Sequence, residues 1–535
     1  MSILSAATLQ GRGPRRERRL RRLRRRRRRL RLRARRARLR RRRARRERRE
    51  RRERREQRQI LQANANTLHL LNRLTYGWTP QLDRQASDAG GALAWLERQL
   101  AAGSVPDSFA AGFAAWFPRL DWTTDRIVAE RERDNGIVWE VMEDFNRWTL
   151  LRRAYSNRQV LEVMTEFWSN LLHVPVPDSK SWPFRVGYDR TIRAHALGRF
   201  DRMLHAAVTH PAMLCYLDNA RSVASNPNEN LGRELLELHT VGRLGGYDEQ
   251  DVRESTMILT GYRVDAWKTW DAYYSTRDHY VGRVSVMNFD DANASADGRD
   301  LVRRYTRYLA HHPATAHRIA HRLCVRLVSD TPPARLVNDL KNVYLSSGTD
   351  IKAVLRALVR HPDFAVGAAE KVRTPTEDVV ATLRALRIRP TKPEQDSDLA
   401  HFILPLTADI GQRPFDWARP DGTPDANEAW TSASRLLGSW KVHANIGGGY
   451  WPQTGATRPA QGAWLPALPA RLDTVIDHVA YQMTGRPASA RLAEAAVIAC
   501  GFPADTEITP GHPFLTRGVA DVITTVLDSP AHMKR

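Results

Sequence analysis

The chain is poor in cysteine. Cys215, Cys324 and Cys500 are the only three in 535 residues, they lie far apart, and no CxxC occurs. An odd, sparse set argues against a disulfide framework and suits a reducing compartment. No stretch approaches the roughly 18 apolar residues that span a bilayer. A secretory signal needs a basic start and then an apolar stretch. The order is reversed, with a mildly apolar Met1–Gln10 followed by arginines. Together these absences predict a cytoplasmic protein with no membrane span. There is also no GxSxG elbow, no GxxxxGK[ST] loop and no GxGxxG after a strand, which removes most support for serine-hydrolase, P-loop and Rossmann readings. Alternating strand-like runs are scarce, Arg283–Met287 being the clearest, and no internal repeat is found.

Basic charge is abundant but confined. Residues 1–60 hold 31 Arg and 5 Glu, a net +26, and the whole chain is also +26. Residues 61–535 are therefore neutral, with 54 groups of each sign. Residues 12–58 are almost pure Arg, with too few leucines to bury a face, so a disordered or single solvated helix is expected. Glu47 and Glu50 each have an Arg four positions on, which supports a helix locally. Such a block attracts nucleic acid or another acidic surface without sequence preference. It carries no aromatic residue for stacking on single strands.

From Gln59 onward the helical period dominates. Thr79-Pro80 is a helix start, with its helix expected to reach the Ala94–Leu100 region. Leu150–Leu172 reads as one long helix with Val160, Met164, Phe167 and Leu171 on its buried face. Asp201–Thr209, Pro313–Ser329, Lys352–Arg360 and Glu377–Leu386 are further helices. His210-Pro211, His312-Pro313 and His361-Pro362 each precede such a pattern, and the proline accounts for the pair. Tyr262–Asp300 and Ile410–Pro469 look irregular, and loops that long are usually functional or disordered. All 15 Trp fall between 78 and 464, marking the core-bearing part.

Chemistry-bearing residues crowd into Asn226–Gly261. Asn226 can cap a helix, with Pro227 in its first turn and Glu229 placed as in a capping box. Gly242 would end it. Leu231, Leu235 and Leu238 make its apolar stripe. Asn230, Glu234 and Glu237 share one narrow face, with His239 roughly opposite. The next helix offers Asp251 and Glu254, with Asp248 as cap. Facing helices with paired carboxylates can bind a hard cation or hold a general base. The plainer alternative is capping plus ion pairs to Arg233, Arg243 and Arg253. A second group, Glu162, Glu166, Ser169, Asn170 and His173, lies on one helix face; its histidine can serve as base or ligand, or simply complement the helix C-terminus. A third, His317, His321 and Cys324, has zinc-like spacing but neither the Glu of HExxH nor a fourth ligand. His279, in the long loop, is a weaker candidate.

These segments resemble the bacterial domain-of-unknown-function family numbered 1800. The matching pieces are Leu68–Gly77, Glu166-Phe167-Trp168-Ser169-Asn170, Asn226-Pro227-Asn228-Glu229-Asn230 through Arg233-Glu234-Leu235, Glu237-Leu238-His239-Thr240, Asp251-Val252, Thr260-Gly261-Tyr262 and Val328-Ser329-Asp330. The resemblance covers about 65–450 and brings no reaction, cofactor or catalytic residue with it. It implies an exported protein whose gene often neighbours a sulfatase-like partner, and this chain departs from that in lacking an export signal. Many members read Phe-Trp-His-Asn-His where Ser169 and Leu171 replace the histidines. A role for those histidines would be lost, or moved to His173.

The expected architecture is mainly α: an arginine-rich tail (1–60), a large multi-helix domain with long irregular loops (61–470) and a C-terminal helical extension (471–535). The leading expectation is a helical binding or accessory protein with an unidentified partner. The alternative is a metal-dependent hydrolase-like enzyme using Glu229, Glu234, Glu237, Asp251 and His173, with a divalent cation on Glu234, Glu237 and Asp251. A third is nucleic-acid tethering through residues 12–58.

Overall fold

The computed structural model describes residues 62–535 except 177–179, 367 and 369, together with Arg19, 38–40, 43–45, Arg48, Arg49 and Arg52. Those tail positions are helical and exposed, and the rest of the predicted solvated segment lies outside the described residues. The chain divides into two units, Met1–Gln62 and Ala63–Arg535.

Ala63–Arg535 is built from helices with four short antiparallel strand pairs. One continuous apolar core runs through it, from Ala63 to Leu527. Thr79 caps its helix as expected, accepting from the Leu82 N–H at 3.2 Å with Pro80 in the first turn. That helix stops at Asp88, and a separate one spans Ala92–Leu100. Gly90 and Gly91 between them have φ of 94° and 115°, a backbone that breaks a helix and that glycine adopts without steric cost.

The expected Leu150–Leu172 helix is likewise two helices, Ile137–Tyr155 and Gln159–Leu171. Buried Asp107 makes the corner between them. Its carboxylate accepts from Ser156 Oγ (2.8 Å) and the Asn157 N–H (2.7 Å), offering the backbone a partner outside the helix. Val160, Met164, Phe167 and Leu171 are all buried.

The His-Pro pairs do more than supply a proline. His210, His312, His361 and also His512 accept, through Nδ1, from the backbone N–H two residues on, at 3.1–3.2 Å. An imidazole nitrogen stands in for the usual Ser, Thr, Asn or Asp cap.

The Tyr262–Asp300 region holds two hairpins, Tyr262–Val264 with Ala272–Tyr274 and Val284–Val286 with Phe289–Asp291. The second is the strand expected at Arg283–Met287. The Ile410–Pro469 region is less irregular than expected, since Ser432 caps a helix over Ala433–Gly447. Residues 471–535 are mostly helical, and their end returns to the core. The Arg373 N–H donates to Met533 O (3.0 Å), and the Arg535 N–H donates to Lys371 O (2.9 Å). Among the described residues no helix is long and apolar enough to cross a membrane.

Candidate functional site

The Asn226–Gly261 segment folds as two facing helices. Gly232 sits so close to the second that a Cβ there would lie 2.3 Å from Thr256 Oγ1, so only glycine fits. The first helix starts two residues later than expected. Its cap is Asn228, which accepts from the Asn230 N–H, because Asn226 is held in a tight turn with Val223. It runs Glu229–Glu234 as α-helix and Leu235–His239 as a π-turn. The wider turn shifts the register, so Leu231, Leu235, Leu236 and His239 face the core while Leu238 does not.

The predicted carboxylates separate into two groups. Glu229 pairs with Arg233 at 3.0 Å, and Arg233 also holds Glu249 at 2.8 Å. Asp251 completes a capping box with Asp248, and its other oxygen accepts from the Met287 N–H at 2.6 Å. Both are engaged in holding structure. Arg253 donates to Gln250 rather than to a carboxylate. Glu234 and Glu237 do come together. Glu237 is bound by Arg243 at 2.6 Å, while Glu234 has its carboxyl pushed up by burial, then by Glu237 and Asp421. Asp421, on the long loop, also acts on His173.

His173 lies beside a cavity of about 30 Å³ lined by Arg153, Glu166, Ser169, Asn170, Arg326 and Asp425 among others. That space is about the size of one water molecule. Burial lowers the His173 imidazole to about 4, and its Nε2 faces Trp417 O at 2.7 Å. Among the described residues Ser169 Oγ is buried without a hydrogen-bond partner. Asn170 fastens the loop above, its Oδ1 accepting from the Thr423 N–H at 2.6 Å. Gly422 comes so near that a Cβ would lie 2.1 Å from Asn170 O. Glu166 is bound by Arg153 (2.9 Å), Arg326 (2.8 Å) and the Tyr76 hydroxyl (2.8 Å). Burial alone would raise the Glu162 carboxyl, but Arg193 and Arg152 bring it below its ordinary range. This face is a network of satisfied ion pairs around a very small space.

His317 and His321 are exposed, whereas Cys324 faces the core with its thiol pushed up to about 12 by burial, so the three do not converge. His279 pins the long loop, its ring nitrogens facing Thr260 O and Asn293 Oδ1 at 3.0 Å.

Two arrangements escaped sequence reasoning. The first is buried Asp378, His443 and His532, from three helices far apart in the chain. Among the described residues theirs are the donor atoms spaced for a cation, all within 4.8 Å of one another. His443 bridges Asp378 (3.2 Å) and Asp528 (2.9 Å), and Arg435 holds the other Asp378 oxygen at 3.2 Å. Burial would lower His443, but Asp378 and then Asp528 carry it to about 9, so imidazolium already supplies the positive charge between the two carboxylates. No local signal marks this set.

The second is a cavity of about 330 Å³ where the Pro80–Asp88 helix meets the Ala154–Gln159 corner and the Leu383–Arg389 helix end. Polar Gln81, Gln85, Asn157 and Gln482 share its lining with Leu82, Phe109 and Ile388, and with Arg84, Arg384, Arg387 and Arg389. Its size falls within the range of small-molecule pockets. The signal available in the sequence was the Arg384, Arg387, Arg389 run, which reads as an ordinary solvated helix end.

This chain belongs to the DUF1800 family of proteins of unknown function, whose model matches residues 69–534. No curated protein and no solved structure matches it.

Proposed function

We propose that the protein is a helical binding protein whose ligand occupies the 330 Å³ pocket between the Pro80–Asp88 helix, the Ala154–Gln159 corner and Leu383–Arg389. The observation that supports this reading is the contrast between sites. The pocket is roomy and lined by amides, whereas Glu229 and Asp251 are occupied in holding structure and the space beside His173 is about 30 Å³. Binding to a partner protein, as an accessory, is compatible with this role. The cysteines are few and buried, at Cys215, Cys324 and Cys500, which favours a cytoplasmic setting. Gln81→Trp, at an exposed lining position, tests the reading. The full chain should show thermal shifts with members of a small-metabolite panel, and Gln81→Trp should lose them without a lower melting temperature. Shifts retained in Gln81→Trp would place the ligand elsewhere.

One observation favours a second, metal-dependent reading. The Glu234 carboxyl stays raised by burial and then by Glu237, although Arg233 and Arg243 act against that rise, and a divalent cation would offset the remaining repulsion. Metal analysis of wild type beside Glu234→Gln and Glu237→Gln decides it: stoichiometric metal lost in both supports a metal-dependent enzyme, and none in wild type removes it. Nucleic-acid tethering would be a separate property of residues 12–58, recognised by its steep salt dependence.

A further inference from the structure

The pocket's charge is of one sign. Its lining carries Arg84, Arg384, Arg387 and Arg389 and no carboxylate. Elsewhere in the body, buried arginines such as Arg152, Arg153, Arg193 and Arg326 are each bound to Glu162 or Glu166. Among the described residues the four pocket arginines have no such ion pair. Burial lowers Arg384 to about 10, helped by Arg373, and burial lowers Arg387, helped by Arg84. Arg84, Arg387 and Arg389 are exposed and Arg384 is half-buried, so the lining presents positive charge to solvent that an anion would complement.

The arginines are also braced. Arg389 lies 4.4 Å over the Phe109 ring, Arg387 lies 4.4 Å over Trp464, and Arg384 Nη1 donates to Ala154 O at 2.7 Å. Guanidinium groups fixed in place lose less freedom when a ligand arrives. Arg384 Nε and the Tyr155 hydroxyl, both on lining residues, are buried donors without a partner among the described residues. Such groups are costly unless something satisfies them.

Arg387 adds a backbone observation. It has φ of +54° just past the Pro375–Ala385 helix, with its N–H on Arg384 O (3.1 Å) and the Ile388 N–H on Leu383 O (3.0 Å). Helices that close this way usually place glycine at the left-handed position. An arginine held there keeps its side chain over the pocket against a conformational cost.

Resting on the pocket reading above, we infer that this site binds a small, multiply charged oxyanion, a phosphate-bearing or polycarboxylate metabolite, clamped by Arg84, Arg384, Arg387 and Arg389 with the Tyr155 hydroxyl as a further donor. Phe109, Leu82 and Ile388 would pack whatever uncharged part the ligand carries.

Calorimetric titration of the full chain with inorganic pyrophosphate and, separately, citrate tests this and distinguishes phosphate from carboxylate. Saturable one-to-one binding of either is expected. Arg84→Gln and Arg387→Gly should each weaken it about tenfold or more, as the loss of a charged hydrogen-bond donor does. Arg387→Gly should keep or raise the melting temperature, because glycine suits that backbone. The tail is unchanged in these variants, so anion uptake equal to wild type would assign it to residues 12–58 and overturn the inference. Absence of saturable binding by both anions would also overturn it. A neutral metabolite whose binding is lost in Gln81→Trp would then leave the pocket reading standing while the charge inference falls. An oligonucleotide bound in place of both small anions, and lost in Arg84→Gln, would likewise replace the small-molecule ligand.

Discussion

Mild acid should unfold the body through its histidines. Burial, the first cause in each case, lowers His69, His173, His210 and His239 to about 4 and His532 to about 3. In the unfolded chain each titrates near 6.5. The folded values lie below the unfolded ones, so as pH falls the unfolded chain takes up protons first. Stability is complete above about pH 6.5 and declines toward pH 4. Each pKa unit is worth about 1.4 kcal/mol, so each histidine withdraws about 3 kcal/mol by pH 4. The set together withdraws on the order of the 5–15 kcal/mol that holds a domain folded. The arginine-bound carboxylates Glu162 and Glu377 contribute to acid loss only below about pH 4.5, where their unfolded counterparts protonate. His443, raised to about 9, acts on the other side: its contribution is full below about 6.5 and is lost as pH rises through 9. Urea midpoints measured from about pH 7.5 to about 4.5 should therefore fall steeply below 6.5. His210→Asn sharpens the test. Asparagine also caps a helix but does not titrate, so this variant should match wild type near pH 7.5 and lose about one proton from the slope. A wild-type midpoint that is flat from pH 7 to 5 would refute the assignment of neutral buried histidines.

Three other outcomes follow from particular contacts. Leu235→Ala, at a fully buried position, should cost about 2–5 kcal/mol, whereas Leu238→Ala should cost about 1 kcal/mol or less; equal losses in urea denaturation would contradict the π-turn register. Glu234 has a raised folded pKa, so its contribution is full below its unfolded value and lost as pH rises; Glu234→Gln should raise the melting temperature at pH 7 and give no gain below about pH 4. Deleting residues 1–58 should leave the melting temperature of Ala63–Arg535 unchanged and abolish non-specific DNA or RNA binding, and a truncated chain that fails to fold would show that the tail is part of the body.

The helical class was legible because apolar residues recur at helical spacing over most of the chain, as at Val160, Met164, Phe167 and Leu171. Helix ends were less so. The break at Ser156–Asn157 depends on Asp107, about 50 residues earlier, and the π-turn at Leu235–His239 has no local sequence pattern that distinguishes it from one more α-turn. The density of carboxylates in Asn226–Gly261 was visible, but which of them arginine neutralises is a matter of three-dimensional neighbours. Arg233 reaches across to Glu249, and Asp251 turns to the Met287 N–H. The pocket was the hardest to foresee. Arg84 lies on one helix, and Arg384, Arg387 and Arg389 lie at and just past the end of another about 300 residues on, so only their assembly shows four positive groups without a carboxylate in the lining.

Hydrogen–deuterium exchange of the full chain with and without inorganic pyrophosphate tests the central claim most directly. Protection confined to residues 79–85, 154–159 and 383–389 is the predicted result. Protection at 229–254, or in the arginine-rich tail alone, would contradict the assignment of the binding site.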